Sequence, residues 1–546
     1  MTQKIQKLLI ANRGEIALRI QRACNSLSII PVTIASEADR GSLAARMADE
    51  LVVIGPPAPA ESYLNIEKII STAKESGCQA VHPGYGFLSE NAEFAQAVED
   101  AGLIFVGPSP ESIRVLGSKT EARKSVTAYG VPCTPGAVSG LSDAELISEA
   151  DKIGYPVIIK AVSGGGGRGM RVAKSKEEMK DFLPRTRAEA KKFFSNQDVY
   201  LEKFIVNPRH VEVQIFGDSH GNLVHFGTRD CSAQRRHQKL IEEAPAPNLS
   251  DKLREAIHQA AVDAAKSVNY KNAGTAEFLV SGETFYFLEM NTRIQVEHPV
   301  TEEVTGVDLV KLQLEVAQGA KLPFKQSEIK FSGHAIEFRL YAESPAKKFM
   351  PAIGKIESLE RPQAKYIRED YALEAGDEIT PYYDAMISKL IVTGKTRLES
   401  IENSKVALRN YKVTGVDTTI PFHRWMLTTP EFINGGFDIG YVEREFSPER
   451  IKELEALDIK DPAHISEPGG CEHVEQLRYF SPAFNAHYLI ELIHREDGIF
   501  VAVPKSQDGK VAPPKHRRAS NGRKTVLSAL TEVLSSIPPE EVFNKE

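Results

Sequence analysis

Apolar residues along this chain fall into short blocks separated by polar, glycine- and proline-bearing turns. Leu8 to Asn12 reads as a buried strand, Gly14 to Cys24 has its apolar residues at helical spacing, and Ile29 to Ile34 is a second strand. The alternation continues to a strand at Ile104 to Gly107, which predicts a doubly wound parallel sheet. No GxGxxG follows the first strand, so nicotinamide binding is not indicated. A helix-rich connection, Ser112 to Ala128, leads to a strand at Val157 to Lys160, and Tyr200 to Ile205 reads as a further strand.

Between Gly274 and Glu302 the period changes to two. Thr275 to Val280 and Phe285 to Met290 flank a turn at Ser281 to Thr284, which predicts a β-hairpin. With the turn centred on Glu283, Glu277 stands opposite Glu289 and Asn291 shares their face, while Ala276, Phe278, Val280, Tyr286, Leu288 and Met290 form the core face. Two carboxylates so placed either point at water or take a cation between them. Magnesium suits such a set, being a hard ion that accepts one or two carboxylates and substrate phosphates. Arg293, Gln295 and Glu297 continue the same period beyond it.

The chain has 546 residues and a net charge of -7, enough length for several domains and no basic excess for a nucleic-acid surface. Five scattered cysteines without a CxxC pair argue against a disulfide framework or zinc site and fit a reducing cytosol. The N-terminus carries no signal-like apolar run, and no run has the length of a membrane span, so the expected location is cytoplasmic.

Candidate chemistry lies at three further places. Ser163 to Met170 holds five glycines in six residues, either a flexible hairpin loop or bare backbone amides that close over a polyphosphate. Lys160 precedes it at the end of an apolar strand, where an ammonium calls for an anion. Arg229 to Lys239 concentrates four cations and His237, either a solvated face or an anion clamp. His82 to Asn91 follows the strand ending at Val81, where ligands approach parallel sheets.

The glycine loop, the strand lysine and the run Glu289 to Arg293 together resemble the ATP-grasp superfamily. Within it, Ala11 to Ile20, HPGYGFLSEN, SGGGGRGM, RDCSAQRRHQK, EAPAP, FLEMNTRIQVEHPVTE and Pro381 to Met386 resemble the biotin carboxylase family over about residues 4–445. Leu340 to Pro351 departs from the commoner family wording, an Asn and a shorter loop.

The resemblance implies a multidomain α/β and α+β protein. Residues 1–118 would form the doubly wound domain, 119–325 the ATP-grasp domain, 326–447 a C-terminal mixed lobe and 448–546 a small β/α tail. ATP would be held by Lys119, Lys160, Gly166, Gly167, Glu202, Lys203, Phe204, Ile205, His210, Gln234, His237 and Ile439. Magnesium, or manganese, would bind Glu277, Glu289 and Asn291; bicarbonate would sit against Lys239, Arg293, Gln295 and the Val296 backbone; Tyr85 and Arg339 would meet the biotin ring. Glu297 would act as general base, with Arg293, Lys239 and Arg339 as the catalytic cations. The implied reaction is the first half-reaction of a biotin-dependent carboxylase, such as that of fatty acid biosynthesis. A nucleotide sensor with a dead centre fits less well, because Glu277, Glu289, Glu297 and Arg293 are all present.

No Met-Lys-Met biotinylation site occurs, so a biotin carboxyl carrier protein is expected in trans, with a carboxyltransferase and a homodimer as further expectations. In the tail, Pro448 to Leu457 reads as a helix, Tyr488 to His494 and Ile499 to Val503 as a hairpin, Val511 to Lys524 as a linker and residues 526–534 as a short helix. The tail is expected to dock the carrier or the carboxyltransferase.

Overall fold

The computed structural model describes residues 4–137, 139–162, 169–194, 196–459 and the strand segments 473–481, 486–495, 498–502 and 517–518. The chain divides into two compact units, Met1–Ile451 and Lys452–Glu546.

The first unit begins with β1 (Lys7–Ile10), α1 (Gly14–Ser26), β2 (Ile30–Ser36), β3 (Glu50–Gly55), β4 (Ala80–His82) and β5 (Ile104–Phe105). The strands form a parallel sheet in the order β3-β2-β1-β4-β5. Leu8, Leu9 and Ile10 are fully buried, as continuous apolar strands of a sheet covered on both faces must be. The loops after β1 and β4 meet at the point where strand order reverses. There the Asn12 amide donates to the Pro83 and Tyr85 carbonyls, both at 2.7 Å. Gly84 takes φ +63, and a Cβ on it would stand 2.8 Å from that amide, so glycine is required.

After α2 (Lys119–Ala128), a small sheet in the order β6-β9-β7-β8 is built from β6 (Gly136–Ala137), β7 (Val157–Ala161), β8 (Met170–Ala173) and β9 (Val199–Lys203). Gly166 and Gly167 lie outside the described residues.

The large sheet has eight antiparallel strands. They are β10 (Arg209–Gly217), β11 (Leu223–Arg235), β12 (Gln238–Ala244), β13 (Asn272–Ser281), β14 (Thr284–Asn291), β15 (His334–Tyr341), β16 (Ile367–Tyr371) and β17 (Met386–Gly394). Their order is β14-β13-β10-β11-β12-β15-β17-β16, so the C-terminal lobe shares its sheet with the region before it through the β12–β15 ladder. The helix Asp251–Lys266 packs its buried alanines on this sheet, with Phe278 and Val280 in the same core.

The hairpin forms with one correction. Ser281 pairs with Thr284 across a two-residue turn, a register that would set Glu277 opposite Leu288. A β-bulge beyond Phe278 makes Leu288 the extra residue and brings Glu277 opposite Glu289. The bulge also reverses the faces on the turn side. Phe287 is buried against Phe278, Phe285 packs on the same core, and Leu288 is 41% exposed, so Tyr286 and Leu288 are not core residues.

In the second unit the described strands are β18 (His473–Ser481), β19 (Ala486–Arg495), β20 (Gly498–Ala502) and β21 (Arg517–Arg518), paired in that order. The expected hairpin is β19–β20, and β18 is a strand that the sequence pattern does not announce. The helix expected at 448–457 runs Pro448–Ile459. The short helix expected at 526–534 lies outside the described residues. Among the described residues no helix is long and apolar enough to cross a membrane.

Candidate active site

A row of charge crosses the large sheet. Ladder registers set Glu289 opposite Glu277, Glu277 opposite Glu212 and Glu212 opposite Arg229, on β14, β13, β10 and β11 in turn. Three acids side by side in a sheet repel, so cations must lie among them. Lys239 on β12 is the centre: its ammonium lies 2.7 Å from Glu212, 2.9 Å from Glu277 and 2.6 Å from Glu297. Burial opposes its charge, yet Cys231, Glu212, Glu277 and Glu297 hold it protonated well above the ordinary lysine range.

Glu297 ends the loop after β14 and stands at the N-cap of the helix His298–Thr305. The strand period therefore stops at Asn291, and it is the loop that turns Gln295 and Glu297 inward, both 2% exposed or less. Glu297 accepts from Lys239 through one oxygen and from Arg339 through the other, at 2.9 Å. Burial pushes its proton affinity up, but Lys239, Arg339 and Arg229 pull it well below the usual carboxylate range. Arg339 also donates to Glu242 at 2.6 Å. Burial lifts Glu242 to about 7 against the pull of Arg339.

Arg229 departs from its expected place in an anion clamp. It is fully buried, donating to Glu212, Gln214 and Thr275 and, at 2.8 Å, to the side-chain amide oxygen of Gln295. Gln295 is thereby oriented to donate to Glu277, also at 2.8 Å. Strand alternation and the turn between β11 and β12 also scatter Arg235 and Arg236. Arg235 stacks on Phe349 with its guanidinium 4.6 Å from the ring centre, and Arg236 donates its backbone amide to Glu443. Of the four cations, Arg229 closes the row as an internal strut and Lys239 stands at its centre.

Beside the row opens a cavity of about 1450 Å³. It is lined by Lys119, Lys160, Glu202, Lys203, Phe204 and Ile205 and also by Gln234, His237, Ile439, Glu289 and Asn291. Lys160 is countered by Glu202 at 2.5 Å. The β11–β12 turn puts Arg236 and His237 at φ +48 and +67, and side chains in this left-handed region each cost about 1 kcal/mol. That conformation sets His237 on the cavity wall. His210 is not on the wall; it is buried behind Glu277, with Nε2 3.0 Å from a carboxylate oxygen. Burial disfavours its charge, but Glu277 raises its proton affinity.

Glu289 faces this cavity and is solvent-accessible there, while protein atoms crowd it elsewhere. Among the described residues no side chain donates to it, and both burial and the Glu277 charge raise its proton affinity. Asn291 donates to Glu277 at 2.8 Å and turns its oxygen to Arg293 at 3.1 Å. Two carboxylates and an amide oxygen, one carboxylate without a partner, fit a hard divalent cation.

Arg293 is held by Glu90 at 3.0 Å, and the same carboxylate accepts from the Thr292 amide. Tyr85 lies apart from the row, its hydroxyl bonded to Glu15. The Val296 carbonyl accepts from Lys389 at 2.8 Å. Sequence reasoning missed the parts played by Glu90, Glu212, Glu242 and Lys389, and gave Arg229 to an anion clamp instead of the buried strut that it forms. For Glu212 and Lys389 a signal existed, an ionisable residue within an apolar strand; Glu90 lay inside a motif already singled out.

Comparison with known proteins gives a consistent picture. The biotin carboxylase N-terminal domain family matches residues 4–113, the carbamoyl-phosphate synthase L chain ATP-binding domain family matches 118–325, and the biotin carboxylase C-terminal domain family matches 337–444. The chain is 50% identical over 442 residues to biotin carboxylase 1 of Bacillus subtilis, covering 80% of this chain and 98% of that one. It is 49% identical to the methylcrotonoyl-CoA carboxylase subunit alpha of Arabidopsis thaliana, covering 82% of this chain and 61% of that one. Among solved structures, the biotin carboxylase complex from Campylobacter jejuni matches with a TM-score of 0.77 at 43% identity, covering 81% and 99% of the two chains. The biotin carboxylase domain dimer of 2-oxoglutarate carboxylase from Hydrogenobacter thermophilus, solved with MgADP, ADP and bicarbonate, matches with a TM-score of 0.76 at 44% identity, covering 82% and 99%.

Proposed function

Because the chain belongs to the biotin carboxylase family, an ATP-grasp ligase family that carboxylates biotin with ATP and bicarbonate, we propose that the charged row and its cavity carry out that reaction with the following division of labour. The nucleotide occupies the cavity, its phosphates meeting Lys119, Lys160 and the loop with Gly166 and Gly167, its base meeting Glu202 to Ile205, Gln234, His237 and Ile439. His210 acts from behind, by holding Glu277. Magnesium is held by Glu277, Glu289 and Asn291, and when bound it neutralises charge on the polyphosphate.

Bicarbonate binds at Lys239, Arg293, Gln295 and the Val296 amide. An anion entering there draws Lys239 away from Glu297 and Arg293 away from Glu90, and each cation that leaves a carboxylate returns proton affinity to it. Glu297 so becomes a competent base for the bicarbonate hydroxyl at the moment the substrate is seated. The deprotonated oxygen attacks the γ-phosphoryl group, giving carboxyphosphate and ADP. Carboxyphosphate divides into carbon dioxide and phosphate, phosphate takes the ureido proton of biotin, and the ureido nitrogen attacks carbon dioxide. Arg339 offers fixed positive charge to the ureido oxygen as it turns enolate-like, with Tyr85 against the ring.

The observation that carries this reading is the convergence of Lys239 and Arg339 on the two oxygens of Glu297, next to the paired Glu277 and Glu289. The biotin is brought by a separate carrier protein and passed to a carboxyltransferase, with a homodimer as the working unit in the cytoplasm; residues 448–546 dock one of those partners. The test is bicarbonate-dependent ATP hydrolysis with free biotin at high concentration. Stimulation by biotin with incorporation of labelled bicarbonate is expected. Hydrolysis indifferent to biotin would instead favour an ATP-grasp ligase with another acceptor.

A further inference from the structure

Next to the charged row lies a second ionic group whose lysine and carboxylates the reaction above does not use. Lys389 on β17 is fully buried and stands directly opposite Arg339 in the β15–β17 ladder. Its ammonium donates to the Val296 carbonyl at 2.8 Å, and it lies 3.2 Å from Glu15 on α1 and 3.9 Å from Asp370 on β16. Tyr85 closes the group from the fourth side, its hydroxyl on Glu15 and its ring centre 5.9 Å from the ammonium.

A buried ammonium is retained when carboxylates and hydrogen bonds together offset its desolvation. Here the surrounding acids depend on Lys389 only in part. Asp370 already has Arg368, at 2.9 Å through one oxygen. One oxygen of Glu15 has no hydrogen-bond partner, and burial raises this carboxyl to about 7, where the neutral form is accessible. Both oxygens of the neighbouring Glu337 lack a hydrogen-bond partner, and its acid form is favoured by burial. The short, directional contact is the one to the Val296 carbonyl, in the loop segment that turns Glu297 toward Lys239 and Arg339.

We propose that Lys389 is a positioning residue for bicarbonate: braced by Glu15 and Tyr85, its ammonium fixes the Val296–Glu297 segment so that the Val296 amide and the Glu297 carboxylate address the substrate. The proposal rests on the placement of bicarbonate at that segment. It separates substrate positioning from mere charge neutralisation between α1 and the large sheet, which would need the cation but not the carbonyl contact.

The test uses the full chain and three variants: E15Q, K389R and the double variant E15Q/K389M, which removes one anion with one cation. Steady-state bicarbonate-dependent ATP hydrolysis is measured with free biotin, varying bicarbonate and ATP separately. For E15Q/K389M the expected result is a rise of about 10-fold or more in KM for bicarbonate, with KM for ATP within about two-fold of wild type. Hydrogen exchange at the amides of residues 294–298 is expected to quicken in the same variant. K389R keeps the charge and moves the donors, and its KM for bicarbonate is expected to rise about three-fold or more. E15Q, which keeps the carbonyl contact, is expected to stay within about three-fold of wild type. A folded double variant with an unchanged KM for bicarbonate, or with both KM values raised in parallel, overturns the proposal. Should the double variant not fold, K389R decides by the same criterion. Wild-type hydrolysis indifferent to biotin overturns the assigned function itself, and the positioning role with it.

Discussion

Lys239 and Glu297 meet at 2.6 Å, and the second oxygen of Glu297 is held by Arg339 at 2.9 Å, so the carboxylate closest to the proposed chemistry is also among the most heavily countered. In this state it is a weak base. Its usefulness depends on a substrate anion that competes for its cations.

Replacing Glu297 with Gln removes the base and keeps the shape. We expect kcat to fall about 10²- to 10⁴-fold, the usual range for a lost general base, with KM for ATP near wild type. Steady-state hydrolysis at varied bicarbonate and ATP measures both.

Arg339→Met is expected to separate the two half-steps. Formation of carboxybiotin should fall about 10²- to 10³-fold, the scale of one lost oxyanion-stabilising group, while bicarbonate-dependent ATP hydrolysis without biotin persists. Parallel loss of both would assign Arg339 to the first step.

Glu289 and Glu277 are opposed in register but not in role. Glu289 has no donor among the described residues, so E289Q is expected to leave the unfolding midpoint unchanged and to raise the magnesium concentration for half-maximal activity about 10-fold or more. E277Q leaves Lys239 and His210 short of a buried counter-charge and is expected to cost on the order of 3 kcal/mol of stability besides. Thermal unfolding and magnesium titration of both variants distinguish the two roles.

Two histidines away from the charged row predict an acid-side loss of stability. Burial pushes His423 down to about 4 and His82 down to about 3, both below the ordinary histidine value of about 6.5. The unfolded chain therefore binds protons first. Stability is complete above about pH 6.5 and falls as pH drops toward 4, by about 3 kcal/mol for His423 alone. His423→Gln should flatten the urea-unfolding free energy between pH 7 and 4.5 by about 2 to 3 kcal/mol relative to wild type. The slope against pH is the readout, since the substitution also alters the bonds to the Arg339 carbonyl and Thr419.

Period and motif made much of this site legible from sequence. The doubly wound sheet followed from strand–helix alternation, and the opposition of Glu277 to Glu289 followed from a period of two. That opposition is nevertheless produced by the bulge at Leu288, which is why strict alternation puts Tyr286 and Leu288 on the wrong face. A bulge changes register without changing composition, so alternation alone does not reveal it. The cation run at Arg229 to Lys239 misled for a related reason. Strand alternation and the β11–β12 turn send the four to different places: Arg229 is an internal strut of the row, Arg235 turns to Phe349, Arg236 borders the cavity and Lys239 reaches the centre of the row. Glu90, Glu242 and Lys389 owe their positions to contacts between segments 93 to 203 residues apart in the chain, a separation that no local pattern encodes.

The pairing of β12 with β15 gives the protein one template instead of two. Lys239, where bicarbonate is proposed to bind, and Arg339, where the ring of the carried group would rest, lie on adjacent strands of a single hydrogen-bonded framework, and their spacing is as fixed as that of neighbouring strands. Diversity in what finally receives the carboxyl group has no foothold in such a framework. Under the proposed function, that choice falls to the partners that would deliver and unload the biotin, and the sheet itself holds only the first half of the reaction.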